Sequence, residues 1–374
     1  ADYSLDLLPW LEPLCDLRVV RLPDQPVTAD VEERWAPVEI GRTGEDGRTP
    51  LYHVGNNKYH IEVWRLANRL PGILALHDIV LHHLLVELTL GEGDLEAYSR
   101  RLVEDHGWVG EMVAKARRWT ELGQTAIFEL AAHQTLLRRQ RGVLVHSEWA
   151  VTRLREENPD LAVRAVSMGV PLPEMPDRAS AGEWRQKAGI PEASSLLGSF
   201  GFQTPIKRTD RVIAALARPE MSAVHLAIGG EVSQGLELES LARELGVADR
   251  VHMLGFLPYD EFEVAISACD LCLNLRYPSA GETSASLLRV LALGRPVIVS
   301  DYAQFRELPD PVAVKVPLGE GEVESLAAEV GRLLADSKRL AVMERASREY
   351  VKRYHAPPNA AAAVVEACSE MADL

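Results

Sequence analysis

"YPSAGETSASLLRVLALGRPVIVSD", residues 277–301, sets a glycine, a carboxylate and hydroxyls ahead of an apolar pattern of helical period, then adds a short apolar run. A polar loop, an amphipathic helix and a buried strand in that order belong to a parallel sheet covered by helices. The same alternation extends outward from this stretch. Strands are expected at 195–200, 223–229, 250–256, 271–275, 296–300 and 312–317, and in the first half at 18–22, 50–54, 72–77, 142–147 and 161–166. Between the two series lies 167–177, "SMGVPLPEMPD", rich in proline and glycine. The pattern therefore predicts an α/β chain of two doubly wound domains joined near residue 170.

Composition narrows the function. A chain of 374 residues is long enough for two domains with sizeable cores. Its net charge of −15 excludes broad, sequence-independent binding of nucleic acid, which needs basic surface to displace counterions. The longest apolar segment, "GILALHDIVLHHLLVELTL", carries Asp78 and Glu87, so it is not a membrane span. No signal peptide is visible and four cysteines make no disulfide framework, which together point to a reducing cytoplasm. Cys269 and Cys272 form a C-x-x-C that is expected to straddle a helix end and a buried strand as ordinary core packing.

In open parallel sheets the ligand lies beyond the carboxyl ends of the strands, where loops lead into helices. That rule selects the loops 55–60, 77–83, 201–208, 229–232 and 277–286. In "GSFGFQTPIKRTDRVIAALA" (198–217), Gly201 permits a tight turn, and Lys207 with Arg208 stands where a helix begins, an arrangement suited to an anion. A solvated Lys-Arg pair at a loop edge is the alternative. In "GETSASLLRVLALG", Thr283 or Ser284 can cap a helix whose N–H groups grip phosphate oxygens. Glu282 repels phosphate and fits better as an acceptor from sugar hydroxyls. An anion at one end and a polyol at the other describe a nucleotide sugar. Asn56 and Asn57 in "YHVGNNKYH", with His60, are candidates for a sugar acceptor, although a Gly-Asn turn explains the pair nearly as well. His77, His82 and His83 are spaced wrongly for a helical metal site. The segment 114–142 carries six cations against Glu121 and Glu129, which suggests a surface for a phosphorylated or lipid-linked acceptor; solvated helix faces are the plainer alternative.

These motifs resemble glycosyltransferase family 4, the retaining GT-B group that uses nucleotide-diphosphate sugars. "GFQTPIKRTDRVIAALA" is similar to its phosphate-clamping loop, "VHMLGFLPYDEFEVAISACDLCLNLRYPS" to its following run, and "GETSASLLRVLALGRPVIVSD" to its donor segment. "ILALHDIVLHH" resembles its strand-loop histidine, and "ADYSLDLLPWL" the helix after its first glycine-rich loop, which would precede Ala1. The resemblance implies two Rossmann-like domains facing each other across a cleft: an acceptor domain at 1–168, a donor domain at 169–354, and a tail helix at 355–374 packing back on the first. It implies transfer of a sugar to an acceptor hydroxyl (glycan, lipid-linked or small-molecule glycoside). His77, Glu282 and Lys207 would act at the reaction centre. Gly201, Lys207, Arg208, Gly229, Gly230, Gly281, Glu282, Thr283, Ser284 and Arg289 would hold the donor. No tightly bound cofactor and no metal is expected, and the setting would be cytoplasmic, with membrane contact at the inner face through 114–142. Two departures stand out. Arg289 occupies the position of the family's second glutamate, and Phe202 that of a diphosphate-binding arginine. A GT-B-type epimerase or a silent sugar-nucleotide-binding protein are the alternatives. Release of nucleoside diphosphate only on addition of acceptor separates all three.

Overall fold

A computed structural model describes residues 2–23, 27–40, 47–119 and 124–372. Ala1, Glu121 and Leu374, used as limits or charges in the sequence reading, lie outside these, as does the side chain of Arg118. The chain divides into two compact units. The first runs to Gly169 and adds Ala280–Thr283 and everything from Pro357 onward; the second holds Val170–Ser279 and Ser284–Ala356. Ala280–Thr283, assigned from sequence to the second domain, thus groups with the first. The Ala280 carbonyl accepts hydrogen bonds from the N–H groups of Ile79 (2.8 Å) and Val80 (3.1 Å), which ties it there.

In the first unit β1 (Val20–Arg21) and β2 (Val38–Glu39) pair in parallel as a sheet of two strands. β3 (Leu51–Val54), β4 (Ile73–Leu76), β5 (Gly142–Val145) and β6 (Val163–Ala165) form a second parallel sheet in that order. The strand expected at 18–22 is therefore two residues long and lies outside the main sheet, and that expected at 161–166 shrinks to three. β4 and β5 are buried along their whole length, which explains their unbroken apolar sequence. Alternate residues feed opposite cores. Leu74, Leu76, Val143 and Val145 face one. Ile73, Ala75 and Leu144 face the other, under the helices Asp2–Leu11 and Pro357–Ala372. The tail helix offers Ala360, Ala361, Val364, Ala367 and Met371 on one stripe at helical spacing, and so it lies close to the sheet.

The second unit is one six-stranded parallel sheet. Its strands are β7 (Ser195–Phe200), β8 (Val224–Gly229), β9 (Val251–Gly255), β10 (Leu271–Asn274), β11 (Val297–Ser300) and β12 (Ala313–Val316), in the spatial order β12-β11-β10-β7-β8-β9. The winding direction reverses between β7 and β10, which pair at Leu197 with Leu271. At such a switch point the loops leaving the two strands diverge and open a crevice at their carboxyl ends. Cys269 and Cys272 are each 1% exposed at the entry to β10, and burial pushes the Cys269 thiol well above its ordinary range, so both pack as apolar groups.

Candidate functional site

The loops singled out from sequence each leave the carboxyl end of a strand. After β7, Gly201 adopts φ +98°, and a Cβ there would fall 2.7 Å from Lys207 Nζ, so glycine is required by both conformation and space. Lys207 ends a 3-10 turn (Pro205–Lys207), is 8% exposed, and donates from its ammonium to the Phe200 carbonyl. Burying a flexible cation in this way fixes it at the switch point. Gln203, which sequence reasoning passed over, shapes the loop. Fully buried, it donates from Nε2 to the Gly201 carbonyl (2.8 Å) and accepts from Thr209 Oγ1 (2.7 Å). Gly230 stands against this loop, with room for no side chain: a Cβ would lie 2.3 Å from the Gly201 carbonyl oxygen. Gly229 is packed against Phe200 in the same manner. Phe202, at the arginine position of the family's loop, is exposed.

Arg208 has a different partner from the one its sequence position suggests. From a left-handed backbone (φ 56°) it grips Glu322 with both Nε (2.6 Å) and Nη2, and its guanidinium lies 5.6 Å from the Tyr277 ring centroid. Glu322 is 2% exposed, and its hydrogen bond raises the Arg208 pKa further above its ordinary value. Arg208 thus neutralises a buried carboxylate contributed from 114 residues away.

Beyond β10 the helix Ala285–Ala292 begins, and Ser284 is its N-cap, accepting from Leu287 N–H at 3.3 Å. Ser284 Oγ lies 3.1 Å from Ser286 Oγ, which in turn accepts from Asn274 Nδ2 at 3.3 Å. A hydroxyl cluster therefore stands at a helix N-terminus whose first N–H groups have no intrahelical partner. Arg276, buried directly after β10, is a further cation that the sequence reading overlooked; its backbone N–H donates to Ser300 Oγ. In the first unit, Thr283 Oγ1 donates to the His146 carbonyl (3.4 Å) and Glu282 Oε2 accepts from Ala280 N–H (2.9 Å). Gly281 fits against Ile79 and Trp149, where a Cβ would lie 2.5 Å from Ile79 Cγ1. Arg289 lies over the Tyr259 ring at 4.4 Å and opposes the burial that raises the Glu263 pKa.

The three residues put forward for an acceptor are wired to backbone. Asn56 Oδ1 accepts from Leu84 N–H (2.9 Å) in the first turn of the helix His82–Thr89, and Asn57 Oδ1 accepts from Tyr59 N–H (3.0 Å). His60 Nδ1 lies 3.0 Å from the His53 carbonyl. His82 is buried between the Leu130 carbonyl and Tyr98 Oη, while His83 faces Glu87. Among the described residues no group of His, Cys, Asp and Glu is placed to hold a metal ion.

His77 joins two histidines distant in sequence. His53 Nδ1 lies 3.3 Å from His77 Nε2, and His77 Nδ1 lies 3.1 Å from His146 Nε2. His146 Nδ1 lies 3.0 Å from the Val166 carbonyl. The rings stack at 5.4 and 5.2 Å, and the Tyr3 ring covers all three. Burial pushes the His53 pKa down to about 4 and that of His77 well below its ordinary value; the neighbouring histidines add to both shifts.

The basic segment divides between structural contacts and a surface. Lys115 pairs with Glu111, Arg117 lies over Tyr98, and Arg141 donates to the Ala372 carbonyl. Arg138 and Arg139 line an open cavity of about 630 Å³ with Arg100, Arg101, Glu104, Thr135 and Ala97.

Two units that each hold a parallel sheet, the second doubly wound with a cation and a helix N-terminus at its switch point, are features of the GT-B class of fold. The Anabaena protein HepE, crystallised with UDP and glucose, superposes with a TM-score of 0.70 at 17% identity, covering 99% of this chain and 96% of that one. Residues 180–350 match the family described as "Glycosyl transferases group 1". Over 231 residues it is 26% identical to the 2-deoxystreptamine glucosyltransferase of Streptomyces kanamyceticus, covering 59% of this chain and 58% of that protein. Over 210 residues it is 29% identical to the D-inositol 3-phosphate glycosyltransferase of Salinispora tropica, covering 51% of this chain and 43% of that protein. The chain thus spans about half the length of these curated relatives. No helix among the described residues is long and apolar enough to cross a membrane.

Proposed function

We propose that this chain is a glycosyltransferase that moves a sugar from a nucleotide-diphosphate donor to an acceptor hydroxyl with retention of anomeric configuration. The observation that carries the reading is the buried Lys207 at the switch point between β7 and β10. It lies inside the segment that matches the group 1 family, and the relatives' names are those of glycosyltransferases. HepE was crystallised with UDP-glucose, a donor of the proposed kind. Catalysis would be chiefly electrostatic: the Lys207 ammonium and the first N–H groups of the helix Ala285–Ala292 stabilise the departing diphosphate as charge grows on it. No resident metal or other cofactor takes part in this scheme. Glu282 would accept from sugar hydroxyls, and Arg208 would serve by holding the loop through Glu322. The proposed setting is cytoplasmic, with the arginine-lined cavity of the first unit turned to the inner face of a membrane.

Lys207→Ala tests the central point. It should weaken binding of UDP far more than binding of uridine in calorimetry, because a charge-assisted bond to phosphate is lost. Equal weakening of both removes Lys207 from the phosphate site. In the wild type, release of diphosphate that depends on added acceptor identifies a transferase, whereas acceptor-independent conversion of the donor identifies an epimerase.

A further inference from the structure

The three-histidine row in the first unit permits only one arrangement of hydrogens when its rings are neutral. The Val166 carbonyl can only accept, so His146 Nδ1 carries the hydrogen and His146 Nε2 is a lone pair. That lone pair needs a donor, which makes His77 Nδ1 an N–H and His77 Nε2 a lone pair. By the same step His53 Nδ1 carries a hydrogen directed at His77 Nε2. One backbone carbonyl therefore sets three tautomers in sequence. Among the described residues, the Tyr3 and His60 rings lie against His77, and neither supplies a counter-charge that would favour a protonated ring.

We propose that His146 and His53 are positioning residues for His77, which they hold as a neutral imidazole presenting Nε2 as a hydrogen-bond acceptor for a substrate hydroxyl. The two links differ in a way that assigns their roles. The 3.1 Å link to His146 is within the usual range for an N–H donor, whereas the 3.3 Å link to His53 lies beyond it and opens at less cost. A sugar hydroxyl, donating its own hydrogen, replaces His53 at His77 Nε2 without changing any tautomer behind it. This role rests on the glycosyltransferase reading; the tautomers themselves do not.

Nitrogen-15 NMR of the full chain, labelled at histidine, reads the ring tautomers directly at neutral pH. The expected result is Nδ1–H at His53, His77 and His146, the reverse of the Nε2–H form that free histidine favours in water. An Nε2–H signal at His77 or His146 overturns the proposal. His146→Phe removes the acceptor while keeping ring volume and should return His77 to a mixture of tautomers. It should lower kcat about tenfold or more with KM for the donor changed less than about twofold, as expected when a ring loses its orienting partner. His146→Gln restores an acceptor oxygen and should recover both the His77 tautomer and most of kcat. Failure of the glutamine variant to recover kcat while its tautomer is recovered would reject the positioning role. A wild type with the expected tautomers but no acceptor-dependent transfer would count against the glycosyltransferase reading and would leave the tautomer lock standing.

Discussion

Lys207 and Arg208 are adjacent, both cationic and both candidates for a phosphate, yet they do different work. Lys207 points its ammonium to the carboxyl end of β7, while Arg208 turns away to a carboxylate that is almost fully buried. The left-handed conformation at Arg208 is what sends the two side chains apart. Removing one partner of a buried ion pair leaves the other charge without solvent or counter-ion, which costs about 3–5 kcal/mol. Arg208→Ala should therefore lower stability by roughly that amount, with the loss largely recovered in Arg208→Ala/Glu322→Gln. Urea melts of the three variants check this; a single Arg208→Ala change below about 1 kcal/mol would show that Glu322 is not held by Arg208 alone. Nothing in "IKRTD" distinguishes the two cations, because Glu322 is separated from them by 114 residues. The histidines carry the same lesson. Sequence places His77 beside His82 and His83, whereas the sheet places it between His53 and His146. Strand order converts distant positions into neighbours, and a local pattern holds no record of it.

Elements were more legible than residues wherever burial imposed a period. All six strands of the second unit fall within about two residues of their sequence assignments, because each is an apolar run closed by a turn or helix start. β2 was missed, since two residues after Pro37 carry no period at all, and β1 was overextended for the same reason. The tail helix was legible as a helix, but its distance from the sheet is set by single atoms. Gly142 opens β5 directly beneath Met371, and a Cβ at that position would lie 2.3 Å from the Met371 sulfur. Gly142→Ala should destabilise by about 1–3 kcal/mol, the usual cost of overpacking a filled core. Met371 is 2% exposed, so truncating it alone also costs stability by leaving a cavity. The double variant Gly142→Ala/Met371→Ala should be less destabilised than the sum of the singles, because the added methyl occupies space that the truncation frees. Additivity within about 0.5 kcal/mol would place the two side chains out of contact.

At the scale of the whole molecule, two electrostatic effects oppose each other as pH falls. The chain carries −15 at pH 7, so acidification relieves self-repulsion and favours the folded state. Against this, desolvation is the chief cause that pushes histidine pKa values down: His53, His60, His77 and His82 in the first unit are largely buried, while His225 and His252 in the second shift the same way but are partly exposed and screened by solvent, so they add little. A depressed pKa in the folded state means that the unfolded chain takes up protons first. The contribution of these groups is therefore complete above the ordinary histidine pKa of about 6.5 and is lost progressively as pH drops towards 4, the value for His53 and His82. Repulsion between surface charges is screened beyond about 8 Å at physiological salt, whereas each unit of histidine shift is worth about 1.4 kcal/mol. The histidines should win. The urea midpoint of the full chain should fall steadily between pH 7 and pH 5 at 0.15 M salt, and the slope should lessen in His53→Phe, which takes the end ring from the row. A midpoint that stays level or rises over that interval would mean that relief of the negative charge outweighs the buried rings.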